Sequence, residues 1–188
     1  METTLANNIP GKIKQEGLVE YAESLSDLYA RTYDAESRKL KGQFFTPQQV
    51  SKYMASLFEL HTNTIRLLDP GAGTGVLTAA FCERLLASDQ TLNLTIDAYE
   101  SDPALSQLLR MSLQACKLQL QGRGHDVKYN VCEKDFILHN EGYFNEKDSS
   151  GESAERPLYD FVISNPPYYK LNKDSPQGNS FFSTFFIP

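Results

Sequence analysis

The four residues Asn165-Pro166-Pro167-Tyr168 combine hydrogen-bond acceptors, a rigid backbone and an aromatic ring. They follow a mostly apolar run, Tyr159 to Ser164, in which Val162 and Ile163 favour a buried strand. Each proline fixes its own φ, lacks a backbone N–H and keeps the residue before it out of the helical region. The strand end therefore presents carbonyl oxygens and the Asn165 side chain on a stiff frame that suits a flat substrate with an amino group. An Asn-Pro turn that only closes a strand explains the same residues equally well.

A glycine-rich loop lies between a short predicted strand, Ile65 to Asp69, and a predicted helix, Val76 to about Ala87. Its sequence is Pro70-Gly71-Ala72-Gly73-Thr74-Gly75. Glycines at this place let the backbone approach a ligand and aim the N–H groups of the helix at it, which predicts a cofactor loop. The dinucleotide fingerprint would put its third glycine at position 76, which is Val, so a cofactor other than NAD is favoured.

Acidic residues stand at the ends of two further predicted strands. Glu100 follows the strand Leu92 to Tyr99, about where a doubly wound fold has the acid that binds ribose hydroxyls, although a surface carboxylate is the alternative. Asp102-Pro103 then caps a helix that runs to about Leu120. Asp135 follows the strand Asp126 to Cys132, at the sheet edge where ligands of open α/β folds gather.

Two helices are predicted before the first strand. Glu16 to Lys39 has an apolar stripe that should pack on the core, and it ends in a small basic cluster, Arg38 to Lys41, that contacts phosphate or is simply a solvated helix end. The second helix runs to about Leu60, with Thr46 as the N-cap, Pro47 at the first helical position and Gln49 completing a capping box. The stripe of the first helix comprises Leu18, Tyr21, Ala22, Leu25, Leu28 and Tyr29.

The remaining segments are less informative. Asn140 to Arg156 is polar and lacks a hydrophobic period, which predicts a mobile loop, and Lys170 to Asn179 is turn-like. The phenylalanines between Ser180 and Pro188 have the spacing of a helix face or of a short apolar tail.

Composition indicates a soluble globular protein. A length of 188 residues with 40% hydrophobic content allows one domain with an appendage. No apolar segment approaches the roughly 18 residues of a membrane span, and the polar N-terminus does not resemble a secretory signal, so a cytoplasmic location is expected. The three cysteines (Cys82, Cys116 and Cys132) and three histidines (His61, His125 and His139) show no metal-ligand spacing, and the cysteines are predicted to be buried free thiols.

The net charge of −6 bears on possible partners. A protein that binds duplex DNA by itself normally has a basic face, because neutralising phosphates supplies much of the affinity. If nucleic acid is the substrate, most of the binding energy should therefore come from something outside this chain.

Taken in order, these motifs resemble those of N6-adenine-specific DNA methyltransferases of the gamma motif order, in which the cofactor motifs precede the catalytic one. Such enzymes include the modification subunits of restriction-modification and phage-defence systems. The resemblance covers about Gly42 to Tyr169 and rests on the segments Gly42-Gln43-Phe44-Phe45-Thr46-Pro47, Asp69 to Gly75, Glu100, Asp135-Phe136 and Asn165 to Tyr168.

The resemblance implies S-adenosylmethionine as the cofactor and DNA as the partner. The methionine part of the cofactor would lie near Thr46 and the glycine loop, its ribose at Glu100, and its adenine between Asp135 and neighbouring apolar side chains. The implied cofactor-binding residues are Phe45, Thr46, Pro47, Asp69, Gly71, Ala72, Gly73, Thr74, Gly75, Glu100, Ser101, Asp135 and Phe136. The implied catalytic residues are Asn165, Pro166, Pro167 and Tyr168, and no metal is implied.

The chemistry of methyl transfer to adenine accounts for the catalytic motif independently of the family. The lone pair of the adenine amino nitrogen is delocalised into the ring, so attack on a sulfonium methyl requires a more tetrahedral nitrogen. The Asn165 side-chain oxygen and the Pro166 carbonyl can each accept one amino hydrogen and stabilise the developing charge. Tyr168 would stack on the flipped base, and such stacking contributes about 1–3 kcal/mol per base.

The implied fold is α/β, a Rossmann-like class I S-adenosylmethionine-dependent methyltransferase fold. Residues 1–41 would form an N-terminal helical extension and residues 42–188 an incomplete catalytic domain. Complete enzymes of this type continue with further strands and a target-recognition domain. We therefore expect a fragment, or a half that another chain completes, in which the fourth strand is an open edge.

Two alternative functions stay open. Similar Asn-Pro-Pro-Tyr motifs serve methyltransferases that act on protein glutamine or RNA guanine, although those enzymes generally resemble this chain only from the glycine loop onward. The chain could also be a truncated module that binds cofactor or a partner without catalysis.

Overall fold

The computed structural model describes residues 17–33, 45–88, 90–141 and 158–166. Within these ranges, parallel strands form a four-stranded sheet in the order β3-β2-β1-β4. The strands are β1 (Thr64–Asp69), β2 (Asn93–Tyr99), β3 (Asp126–Cys132) and β4 (Phe161–Val162). The helices are α1 (Leu18–Thr32), α2 (Gln48–Ser56), α3 (Val76–Leu86), α4 (Pro103–Gln121) and α5 (Phe136–His139). This arrangement confirms the predicted α/β fold.

The chain reverses its direction across the sheet between β1 and β4. From β1 it proceeds outward to β2 and β3, then returns so that β4 pairs with the other side of β1. Leu67 pairs with both Ile96 and Phe161 in this register. Open α/β sheets bind ligands at the carboxyl ends of the strands beside such a reversal.

The two faces of the sheet differ in polarity. Ile65 and Leu67 of β1, with Leu94 and Ile96 of β2, belong to the buried core, as the two-residue period of side chains along a strand requires. On the opposite face, the Arg66 guanidinium donates to Asp97 Oδ2 at distances of 3.1 and 2.8 Å. The strands therefore alternate rather than being apolar throughout.

Helix α1 is shorter than predicted. It ends at Thr32, and Tyr33 has an extended backbone (φ −114°, ψ 136°), whereas the sequence predicted helix to Lys39. The predicted stripe does face the core, with Leu28 only partly buried. The basic cluster 38–41 lies outside the described residues.

Helix α2 begins one residue later than predicted and ends earlier. Pro47 is the N-cap, with φ −61° and ψ 148°, and no side chain caps the helix. The capping box assigned to Thr46, Pro47 and Gln49 was therefore wrong, because the Thr46 hydroxyl is instead bonded to Asn165. The helix ends at Ser56 and not near Leu60.

The predicted N-cap of the helix after β2 is confirmed. Asp102 is the N-cap of α4, and its Oδ1 accepts hydrogen bonds from the amides of Ala104 and Leu105 at 3.0 and 3.3 Å. Pro103 occupies the start of the helix, where its missing N–H leaves no acceptor unpaired.

Strand β4 confirms that the segment before Asn165 is extended. The Ile163 amide donates to the Leu68 carbonyl at 2.9 Å, and Ile163 is 1% exposed. Val162, on the opposite face, is 54% exposed. Among the described residues, no strand pairs with the outer edge of β4.

Several expectations fall on segments that the structure does not describe. They are the loop beyond residue 141, the turn at 170–179 and the phenylalanines near the C-terminus. In the described part, no helix is long and apolar enough to cross a membrane, and no group of three or more His, Cys, Asp or Glu side chains could hold a metal ion. Cys82 and Cys116 are buried free thiols as predicted, whereas Cys132 is partly exposed.

Candidate functional site

The glycine loop connects β1 to α3 and has the backbone freedom that its sequence indicated. Gly73 and Gly75 have φ values of +57° and +86°, which favour glycine. A Cβ on Gly75 would also lie 2.9 Å from Leu109 Cδ1, so helix α4 leaves no room for a side chain there. A Cβ on Gly71 would meet no atom within 4 Å, so the loop surface is open at that residue.

Glu100 holds the glycine loop against the end of β2. Its Oε2 accepts a hydrogen bond from the Gly73 amide at 3.0 Å, and its Oε1 accepts one from the Asp102 amide at 2.8 Å. Burial raises the pKa of Glu100 above its ordinary value, and the Asp102 and Gly73 amides oppose that shift. A carboxylate oxygen can accept more than one hydrogen bond, so Glu100 keeps acceptor capacity for ribose hydroxyls.

Asp69, at the end of β1, is fully buried. Its Oδ2 accepts a hydrogen bond from the Thr78 hydroxyl at 2.8 Å, while its Oδ1 has no hydrogen-bond partner among the described residues. Burial raises the pKa of Asp69 to about 7, with the Thr78 hydroxyl and the Gly71 amide opposing the shift. Asp69 thus lies buried beneath the glycine loop and is not at the surface.

Thr74 differs from the other predicted loop residues because helix α1 occupies its side chain. The Thr74 hydroxyl donates to the Ala22 carbonyl at 3.2 Å and lies 2.5 Å from Ser26 Oγ. Any contact of Thr74 with a cofactor would come from its main chain. Sequence analysis missed Ser26, although a serine on an otherwise apolar helix face was a usable signal.

Tyr29 gives a second connection from α1 to the site. Its hydroxyl donates to Asp102 Oδ2 at 3.1 Å, and its ring packs edge-on against Phe45 with centroids 5.9 Å apart. Phe45 in turn reaches the glycine loop, since its Cε1 atom is 3.9 Å from the Cβ position of Gly73. The segment before α2 and the glycine loop therefore meet at one place.

Asn165 lies in contact with this same segment. Its side-chain Nδ2 donates to Thr46 Oγ1 at 2.9 Å across a separation of 119 residues. Thr46 is 7% exposed, whereas Pro47 and Pro166 are exposed. Pro167 and Tyr168 lie outside the described residues.

Asp135, Phe136 and Ser101 stand on the β2 and β3 side of the site. Asp135 is the N-cap of the short helix α5, and its Oδ1 accepts from the Leu138 amide at 3.0 Å. The Phe136 ring packs edge-on against Tyr99 at 5.0 Å, and Ser101 is exposed just beyond β2. The structure therefore supplies an aromatic pair near Asp135, where the resemblance implied apolar neighbours for an adenine.

The arrangement fits a nucleoside-bearing cofactor. The open backbone at Gly71, the carboxylate of Glu100 and the aromatic pair of Tyr99 and Phe136 all follow strand ends at one edge of the sheet. Helix α3 begins directly after Gly75 and presents its N-terminus at the same edge, where its partial positive charge favours an anionic group.

Comparisons with known proteins show what this chain is similar to. The family model of N-6 DNA methylases matches residues 22–187. The type II methyltransferase M.PstI from Providencia stuartii is 31% identical over 153 residues, covering 79% of this chain and 28% of the relative. The type II methyltransferase M.BsuBI from Bacillus subtilis is 33% identical over 135 residues, covering 71% of this chain and 26% of the relative.

A solved structure supports the fold. The match is from Listeria monocytogenes, described as a class I S-adenosylmethionine-dependent methyltransferase, with a TM-score of 0.51 and 16% identity, covering 83% of this chain and 41% of that one. Identity at this level indicates a shared fold and no more. The chain spans about a quarter of the length of the two curated relatives, at 28% and 26%.

Proposed function

The chain belongs to the N-6 DNA methylase family, and we propose that it is the cofactor-binding and catalytic part of a methyltransferase that methylates the N6 amino group of adenine in DNA. S-adenosylmethionine is the cofactor of this family. The two curated relatives are type II methyltransferases, which supports a role in restriction-modification or defence. Acting on cellular DNA would place the protein in the cytoplasm.

The contact between Asn165 and Thr46 is the observation on which the proposal rests. It joins the last predicted motif to the first, directly beside the glycine loop that Phe45 contacts. Because Nδ2 is bonded to Thr46, the carboxamide of Asn165 is oriented, and its Oδ1 makes no hydrogen bond in the described part of the chain. An oriented, unpaired acceptor is what an exocyclic amino group requires.

The mechanism follows from that acceptor. Oδ1 of Asn165 and the carbonyl oxygen of Pro166 each accept one hydrogen of the adenine amino group, which concentrates the lone pair on nitrogen and stabilises the positive charge that develops there. When bound, S-adenosylmethionine would supply the methyl group from its sulfonium sulfur and would leave as the neutral thioether, while the methylated amino nitrogen would release one of its protons to solvent. Glu100 would bind the ribose of the cofactor, and the main chain of the glycine loop would contact the cofactor as well. Tyr168 would stack on the flipped base.

The segment before α2 favours adenine in DNA over protein glutamine or RNA guanine. Methyltransferases for those substrates generally match this chain only from the glycine loop onward, whereas Phe45 and Thr46 contact the loop and Asn165 here. The matched region also starts at residue 22, upstream of the loop.

A second candidate is a module that binds cofactor without catalysis. It is favoured by the net charge of −6, which leaves DNA binding to other residues. The other residues would be a target-recognition region of the same protein or a partner chain.

The decisive experiment pairs calorimetry with a methylation assay. The full-length protein is titrated with S-adenosylmethionine and then incubated with unmodified DNA and labelled cofactor, and the product nucleosides are identified. The proposal expects binding together with N6-methyladenine. Binding without methyl transfer would support the non-catalytic module, and transfer to protein or RNA alone would contradict adenine in DNA as the substrate.

A further inference from the structure

We propose that Thr46 is a positioning residue for Asn165: its hydroxyl oxygen holds the Asn165 carboxamide in the orientation that turns Oδ1 toward the target amino group. The inference rests on the proposed function and deepens it. It assigns Thr46 a task beyond the N-cap role predicted from sequence and beyond the cofactor contact implied by resemblance.

The carboxamide of Asn165 can be useful in only one of its two flips. With Nδ2 toward the base, it would offer a donor to an amino group that is itself a donor, and no hydrogen bond could form. In the structure Nδ2 donates to Thr46 Oγ1 at 2.9 Å, which leaves Oδ1 without a partner among the described residues. A hydroxyl can also donate, so Thr46 fixes the position of the carboxamide, and the target amino group, which needs an acceptor, favours the flip in which Oδ1 faces it.

Thr46 is well held for this task. Pro47 restricts the backbone of Thr46 to extended conformations, and Thr46 is 7% exposed, so its side chain has little freedom. Phe45 on its other side packs against Tyr29 of α1 with ring centroids 5.9 Å apart. The acceptor is consequently attached to the folded core and not to a loose segment.

The capping error has the same explanation. A Thr46 hydroxyl that caps α2 would have to accept from a backbone amide of the first helical turn. In the structure no side chain caps α2, and the hydroxyl accepts from Asn165 instead.

The test compares Thr46→Val with Thr46→Ser in the full-length protein. Valine keeps the shape and removes the hydroxyl, and we expect it to lower kcat about 10- to 100-fold while the dissociation constant for S-adenosylmethionine changes by less than about twofold. Serine restores an acceptor and should return most of the rate. Ser51→Ala is the matched control, because it removes a buried hydroxyl of α2 that donates to Gln48 and does not touch Asn165.

Each outcome decides something. Wild-type kcat in Thr46→Val overturns the inference, as does a weaker cofactor affinity whose effect disappears at saturating cofactor, since Thr46 would then act only on the cofactor. If the valine variant does not fold, Thr46→Ala is measured in its place under the same criteria. Absence of methylation by the unmodified protein would instead refute the proposed function, so the two failures are distinguishable.

Discussion

At the scale of residues, two positions divide the proposed work between catalysis and cofactor binding. Asn165 Oδ1 has no hydrogen-bond partner among the described residues and is proposed to face the target base, whereas Glu100 accepts hydrogen bonds from the amides of Gly73 and Asp102. Asn165→Ala should therefore lower kcat by about 1,000-fold or more with nearly unchanged cofactor affinity. Glu100→Ala should do the reverse and lower the affinity for the cofactor before it lowers kcat.

Calorimetry and single-turnover methylation in the full-length protein measure this pair of effects. Glu133→Ala is a suitable control for Glu100, because it removes an exposed carboxylate whose partner is Arg110 at 3.0 Å. Equal loss of cofactor binding and turnover in Asn165→Ala would show that its assigned role is wrong.

Asp69 gives a prediction on pH, because burial raises its pKa from the ordinary value of an aspartate to about 7. Below about pH 4 the carboxyl is neutral in both the folded and the unfolded state. As pH rises from about 4 to about 7, the unfolded chain releases the proton first, so stability is lost, by as much as roughly 4 kcal/mol.

Asp69→Asn removes that titration while keeping the shape of the side chain. The unfolding free energy of the variant, measured with urea from pH 4 to pH 7, should gain on that of the unmodified protein as pH rises. Asp126→Asn, at an exposed carboxyl, controls for the change in charge. Parallel profiles for the protein and Asp69→Asn would contradict the prediction.

At the scale of elements, helix α1 belongs to the site and does more than cover the core. Leu25 is 0% exposed, and the carbonyl of Ala22 and the hydroxyl of Ser26 hold Thr74 of the glycine loop. The predicted boundary at residue 41, which made the first helix an extension, would separate α1 from the loop it holds. That boundary stays a prediction, and α1 offers a way to test it.

Leu25→Ala should lower the unfolding free energy by about 2–5 kcal/mol through a cavity and should weaken cofactor binding as well. Thr32→Ala, on the partly exposed end of the same helix, should change stability by no more than about 0.5 kcal/mol. Urea unfolding and calorimetry give both quantities. If the chain after α1 unfolds in Leu25→Ala with an unchanged free energy of unfolding, this result would support α1 as an independent extension.

At the scale of the whole molecule, charge and coverage point in the same direction. The chain has a net charge of −6 and spans 28% and 26% of its curated relatives. The proposed site would bind a cofactor and orient an amino group, but methylation also requires that the duplex be bound and that the base be flipped out of it. We propose that a partner or a further region supplies that part, because the net charge of −6 disfavours binding of duplex DNA by this chain.

We predict that the 188-residue chain alone binds unmodified duplex DNA only non-specifically, with a dissociation constant of about 10⁻⁴–10⁻⁶ M or weaker at physiological salt. Fluorescence anisotropy at several salt concentrations measures this. Tight, sequence-dependent binding by the chain alone would show that it contains its own recognition surface.

The sequence by itself determined the parts of this protein that depend on neighbouring residues. The predicted bounds of β1, β2 and β3 agree with the structure almost to the residue, Asp102-Pro103 marked the start of α4, and the glycines marked the loop in which Gly73 and Gly75 have positive φ. Each of these signals is local, because strand period, helix caps and glycine conformations are set within a few residues.

Only the tertiary structure decided how side chains from distant segments share hydrogen bonds. Thr46 had local partners available in the first turn of α2, which begins at Gln48, yet its hydroxyl is bonded to Asn165, 119 residues away. Thr74 stood in a cofactor loop, yet its hydroxyl is bonded to α1 across 52 residues. A hydroxyl group has only a few hydrogen-bonding positions, and which groups occupy them depends on the packing of the whole sheet and its helices.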